Sequence, residues 1–211
     1  MNPGMNDTAV IPPLVPGEIH LWTREGDAPD DAAILKLLLS GYLKTEPAQV
    51  RVGIRPKGKP FVENDPTLFF NLSHSRGILV LAFSRDGELG VDIEMIRDLP
   101  DLDLLIDRNL TSREKEYTLK DPKKKLTRFF QLWTLKESYL KATGDGMRLS
   151  PENLEFTVEG GNIRLNSLSF GHDTSQWRFR TFTRGHDFTG TLAYRGSNTV
   201  IREMEWDHIA G

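Results

Sequence analysis

The chain of 211 residues contains no cysteine. That absence excludes a disulfide scaffold, a thiolate zinc site, an iron–sulfur cluster and a cysteine nucleophile. Long apolar runs are also missing. The longest, at 78–83, falls far short of the roughly 20 residues a spanning helix needs. The N-terminus lacks the basic start and apolar core of a signal peptide, so the expected compartment is the cytoplasm. No G-x-x-x-x-G-K-[ST], G-x-G-x-x-G or G-x-S-x-G motif occurs, which leaves no support for a P-loop, a dinucleotide fingerprint or a nucleophile elbow. Neither charge sign dominates: 27 Lys and Arg stand against 30 Asp and Glu, a formal net charge of −3. That balance argues against a dedicated nucleic-acid binder. What remains is a chain with 38% hydrophobic and 27% charged residues, enough to build a core. Its chemistry must come from carboxylates, histidines, lysines or hydroxyls.

The pattern predicts a strand over 18–22, an acidic connection over 26–31, and a helix capped by Asp30 or Asp31 that runs to about Leu43. The helix's apolar face is Ile34, Leu35, Leu38, Leu39 and Tyr42. Strands are expected over 49–54, 68–72, 78–83 and 89–94, with a turn at Arg85-Asp86-Gly87. Pro100 marks a change to helical periodicity. Thr111-Ser112-Arg113-Glu114 fits a capping box. A long helix opens at Pro122 and is stopped by Gly144-Asp145-Gly146 after Lys141. Strands return over 154–158, 163–168, 177–182 and 188–194. This order predicts an α+β fold of two halves of about 100 residues. The expected division is a flexible N-terminal tail over 1–16, one half over 17–98 and a second over 99–211. Val80-Leu81-Ala82-Phe83 resembles Thr191-Leu192-Ala193-Tyr194, which is compatible with a duplicated architecture.

Four segments could carry chemistry. In Gly90-Val91-Asp92-Ile93-Glu94, strand alternation puts Asp92 and Glu94 on one face, about 7 Å apart, with Val91 and Ile93 on the other. Two such carboxylates suit Mg²⁺ or Mn²⁺, or form a solvated strand face. Glu137 and Lys141 lie one helical turn apart, as a third ligand with a phosphate-facing cation, or as a surface ion pair. Asn71-Leu72-Ser73-His74-Ser75-Arg76 joins two strands and could bind an oxyanion. Pro56-Lys57-Gly58-Lys59-Pro60 is a rigid loop with two lysines at its tip.

Taken in order and at this spacing, four segments resemble the Sfp-type (surfactin-synthetase-activating) 4′-phosphopantetheinyl transferases. They are Gly58-Lys59-Pro60, Phe70-Asn71-Leu72-Ser73-His74-Ser75, Gly90-Val91-Asp92-Ile93-Glu94 and Phe130-Gln131-Leu132-Trp133-Thr134-Leu135-Lys136-Glu137-Ser138-Tyr139-Leu140-Lys141. The resemblance covers about residues 18 to 195. It implies two similar α+β halves related by a pseudo-twofold axis, with the site in the cleft between them; a length that lets one chain supply both sides of that cleft makes a monomer the expected state. It also implies transfer of coenzyme A's phosphopantetheine arm to a serine of an acyl or peptidyl carrier protein, releasing 3′,5′-ADP. On this resemblance Asp92, Glu94 and Glu137 hold Mg²⁺. Glu137 serves as general base, directly or through water, and Lys141 meets the pyrophosphate. His74 and Ser73 hold phosphate oxygens, Lys59 lies against the adenosine 3′-phosphate, and Lys136 faces away from the metal.

Two departures stand out. The family's basic segment after the first strand is replaced by the acidic Glu25-Gly26-Asp27-Ala28-Pro29-Asp30-Asp31. Lys36, a coenzyme contact on this resemblance, stands where the family commonly has arginine and lacks the bidentate fork. Lys123, Lys124, Lys125 and Arg128 are candidates for meeting an acidic carrier protein, or form a solvated helix face. The rival readings are a Mg²⁺-dependent phosphate-ester hydrolase on the same carboxylates and an inactive module binding coenzyme A or a carrier protein. No nucleic acid or membrane partner is expected.

Overall fold

Two antiparallel units of three strands form the centre of the molecule. The computed structural model describes residues 11–26, 30–144, 149–168, 174–196 and 199–206. The first sheet joins β1 (Glu18–Glu25), β4 (Phe69–Ser75) and β5 (Ile78–Ser84) in the order β1-β5-β4, and β11 (Val200–Glu205) adds to β1 in parallel. The second contains β6 (Leu89–Met95), β9 (Trp177–Arg184) and β10 (Phe188–Arg195) in the order β6-β10-β9. Each middle strand, β5 and β10, carries one of the two similar tetrapeptides. Two hairpins flank the sheets: β2 (Val52–Ile54) with β3 (Pro60–Val62), and β7 (Leu154–Glu159) with β8 (Asn162–Leu168).

Alternation along the strands sorts the apolar residues into layers. Ile19, Leu21, Val80 and Ala82 of the first sheet pack against Val91, Ile93 and Leu192 of the second. The other face of the first sheet, with Trp22, Leu79, Leu81 and Phe83, receives Leu35, Leu38, Leu39 and Tyr42 of α1 (Asp31–Leu43). The Asp30 carboxylate accepts from Ala32 N and so starts that helix. The outer face of the second sheet receives α4 (Lys125–Thr143), with α2 (Leu102–Asn109) and α3 (Ser112–Leu119) beside it. Thr111 and Glu114 form the expected capping box. α4 ends at Gly144 in the left-handed region (φ 68°), while Asp145 and Gly146 lie outside the described residues. No helix among the described residues is long and apolar enough to cross a membrane.

Several expectations are corrected. Residues 11–14 are packed rather than a loose tail: Leu14 is buried, and Ile11 sits where a side chain at Gly41 would be. Residues 1–10 lie outside the described residues. Sheet membership does not follow the division at 98/99. β6 belongs to the second sheet and β11 to the first, because each completes an otherwise open edge. The segment 71–75 is strand rather than connection. The turn is only Arg76 and Gly77, both at positive φ (45° and 80°), the two-residue hairpin geometry that matches strand twist. Pro47 opens a 3₁₀ turn, so the strand expected from 49 starts at Val52. Neither the short β3 nor β11 was anticipated.

Candidate active site

Gly90 sets the geometry of the site. A Cβ there would overlap the Ser138 carbonyl oxygen and the Ala142 nitrogen, both in the backbone of α4. Its absence lets the helix close onto β6. On the same face of β6, Asp92 and Glu94 then meet Glu137 and Lys141 across the helix–strand interface.

The other side of β6 is an edge of its sheet, and its outward-facing backbone groups need partners. β4 supplies them through side chains. Asn71 Oδ1 accepts from Val91 N at 2.8 Å, Ser73 Oγ from Ile93 N at 3.3 Å, and Ser75 Oγ from Met95 N at 3.1 Å. Two lysines satisfy outward carbonyls. Lys59 Nζ donates to Leu89 O at 3.0 Å and Lys141 Nζ to Val91 O at 3.3 Å. The strand that carries the acids therefore has hydrogen-bond partners along both edges.

Lys141 and Ser73 converge on one oxygen of Asp92. Lys141 Nζ donates to Asp92 Oδ1 at 2.7 Å and to Ser73 Oγ at 3.0 Å, and Ser73 Oγ donates to the same Oδ1 at 2.9 Å. The second oxygen, Oδ2, is buried and has no hydrogen-bond partner. Burial pushes the Asp92 carboxyl above the usual carboxylate range, against the pull of Lys141 and Ser73. Burial, and then the negative charge of Asp92, push Glu137 up as well. Glu94 is half-buried, with Arg97 Nη1 3.5 Å from its Oε2. Among the described residues no three such side chains stand as a ready-made metal cage.

Two cavities meet at these residues. The larger, about 510 Å³, lies among the β2–β3 loop (Lys57 to Pro60), Asn71, the end of α4 and the segment Leu149-Ser150-Pro151. The smaller, about 370 Å³, takes in Leu72, Ser73, His74, Asp92, Glu94 and Trp133. Glu137 and Lys141 line both.

Comparison with known proteins shows the family. The model of the 4′-phosphopantetheinyl transferase superfamily matches residues 88–193, a span that includes all three acids and Lys141. The chain belongs to that superfamily. It is 30% identical over 197 residues to a phosphopantetheinyl transferase of Thraustochytrium, covering 84% of this chain and 68% of that one. It is 41% identical over 119 residues to the 4′-phosphopantetheinyl transferase HetI of Nostoc. That match covers 54% of this chain, which spans half of HetI's length. Among solved structures it is similar to the holo-[acyl-carrier-protein] synthase of Thermotoga maritima, with 22% identity and a TM-score of 0.41, over 50% of this chain and 61% of that one.

Within this superfamily member, the structure brings Asp92, Glu94, Glu137, Lys141, Ser73 and His74 to one cavity. His74 stands at its mouth, largely exposed, with Nδ1 3.9 Å from Asp31 Oδ2. Lys59 is placed differently from expectation. It is buried, and its ammonium donates to Glu88, to Leu89 O at 3.0 Å and to Ala142 O at 2.7 Å. All three protons are taken, so as it stands Lys59 braces the loop and offers no donor to a phosphate. Lys36 lies on the exposed face of α1 and lines neither cavity. Lys125 pairs with Asp103, and Arg128 donates to Tyr117 O and lies over its ring. Lys123 and Lys124 are exposed. The role of Asn71 and Ser75 in holding β6 is not among the sequence expectations. Their signal was available, since polar residues at 71, 73 and 75 alternate with apolar Phe70 and Leu72.

Proposed function

We propose that this chain transfers the 4′-phosphopantetheine arm of coenzyme A to a serine of an acyl or peptidyl carrier protein, releasing 3′,5′-ADP. The observation that carries the reading is the junction itself. Glu137 and Lys141 stand where a cavity of about 510 Å³ meets a second, acid-lined one. The larger cavity's volume lies within the range of small-molecule sites, about 300–1,000 Å³. It would hold the nucleotide end of the coenzyme, and the open mouth beside His74 and Trp133 would admit the carrier serine.

The residues present fit a divalent cation. Asp92 Oδ2 is a buried carboxylate oxygen lacking a partner, and Glu94 and Glu137 line the same cavity. Hard oxygen donors without thiolates suit Mg²⁺ or Mn²⁺. When bound, the cation would offset negative charge on the pyrophosphate. Lys141, already oriented by Asp92, Ser73 and Val91 O, places a second positive charge at the same point. Glu137 is the residue to accept the serine proton. It lines both cavities, so it can take that proton directly or through a water.

The test is incubation with coenzyme A, Mg²⁺ and an apo carrier protein, read by intact mass. The expected result is a gain of one phosphopantetheine group on the carrier. No gain on any of several carrier proteins, with this protein folded, would overturn the reading.

A further inference from the structure

Lys136 precedes Glu137 on α4 but turns away from the cleft and is fully buried. Its Nζ lies 2.6 Å from Glu114 Oε2 and donates to three carbonyl oxygens, Asn109 at 2.8 Å, Pro151 at 2.8 Å and Leu154 at 2.7 Å. Glu114 is equally buried. Its Oε1 accepts from Phe156 N and its Oε2 from Thr111 N, each at 2.8 Å. One ion pair thus gathers the end of α2, the start of α3, the turn before β7 and β7 itself onto α4. Pro151, with Leu149 and Ser150, is also part of the lining of the larger cavity.

A buried ion pair is a poor source of net stability. Replacing one with apolar residues is often neutral or better, because desolvating two charges offsets their attraction. What the lysine supplies here is directional. Its donors fix three carbonyls from separate segments at set distances from one point on α4, one residue from Glu137. We propose that Lys136, together with Glu114, is a positioning residue for coenzyme A. It fixes the wall formed by Leu149, Ser150 and Pro151 relative to Glu137 and Lys141, and so sets the shape of the cavity that receives the coenzyme. This inference rests on the phosphopantetheinyl transfer reading.

The double variant Lys136→Met/Glu114→Gln tests it. It removes both charges, keeps side-chain length, and leaves an amide oxygen at position 114 able to accept from Phe156 N or Thr111 N. Measured at a temperature where the variant stays folded, KM for coenzyme A should rise about tenfold while kcat at saturating coenzyme stays within about threefold. Amide exchange over 149–154, read without ligand, should be faster. If the double variant does not fold, Glu114→Gln alone is measured by the same criteria. An unchanged KM with a reduced kcat would overturn the proposal, since a purely structural role lowers the active fraction without altering affinity. Coenzyme binding to the unaltered protein, followed by calorimetry, separates the two levels. Failure there overturns the transfer reading together with this inference, whereas normal binding with an unchanged variant KM overturns this inference alone.

Discussion

Asp92 carries opposite demands on its two oxygens. Oδ1 is fully engaged by Lys141 and Ser73, while Oδ2 is buried and unpartnered. Together with Glu137 it holds its proton more tightly in the folded protein than in the unfolded chain. The metal-free protein should therefore lose stability as pH rises from the ordinary carboxylate range through the raised values of these two groups, and level off above them. A cation competes with those protons, so the gain in melting temperature on adding Mg²⁺ should grow over the same rise in pH. Melting curves across mildly acidic to mildly alkaline buffers, with and without Mg²⁺, check both slopes. Asp92→Asn should abolish the Mg²⁺ gain and lower transfer by about 100-fold or more. Near-normal transfer by that variant would remove Asp92 from the metal assignment. The acids were legible because D-x-E on a strand and E-x-x-x-K on a helix fix which side chains share a face. Lys59 was not. Its Gly/Pro loop reads as exposed, and the Ala142 carbonyl that captures it lies 83 residues away. Lys59→Met should thus cost about 1–3 kcal/mol of stability through the carbonyls it leaves unpaired. Denaturant unfolding measures that loss, and unchanged stability would show that water replaces the ammonium.

At the level of elements, the contact between α4 and β6 decides whether the acids and the lysine meet. A methyl at position 90 has nowhere to go, because its neighbours are backbone atoms of a helix rather than flexible side-chain tips. Gly90→Ala should push α4 outward, lower stability by about 1–3 kcal/mol, and separate Asp92 from Lys141. Transfer by the folded fraction should fall further than the stability loss accounts for. Unfolding curves paired with the mass assay, at a temperature where the variant stays folded, distinguish the two effects. The helices themselves were readable from caps and periodicity: Asp30, the Thr111–Glu114 box and Gly144 all act as their residue types suggest. The length of β4 was not, because Ser73-His74-Ser75 has the composition of a turn. Its strand character comes from pairing with β5 and from the β6 amides that its side chains satisfy.

Across the whole molecule, the chain exchanges strands between its two sheets. β6, from the first half of the sequence, completes the second sheet, and β11, from the end of the described residues, runs parallel to β1 in the first. A cut at 98/99 therefore leaves β11 with the wrong piece and β6 without β10. Fragments 1–98 and 99–211 should each be largely unfolded by circular dichroism, and mixing them should restore the spectrum. Independent folding of either fragment would show that the exchanged strands are dispensable. The α+β character could be read from the order of elements. Sheet membership could not, since pairing between strands more than 100 residues apart, such as β1 with β11, leaves no local mark in sequence.

The line where β4 meets β6 differs mechanically from every other strand junction described. A backbone ladder resists shear because each rung is part of the chain itself. Here the rungs are the side chains of Asn71, Ser73 and Ser75, each able to rotate about its own bonds. The two sheets are thus joined along a compliant seam that runs beside the cleft. Strain imposed by a large occupant can be absorbed there by three small rotors while both sheets keep their ladders intact.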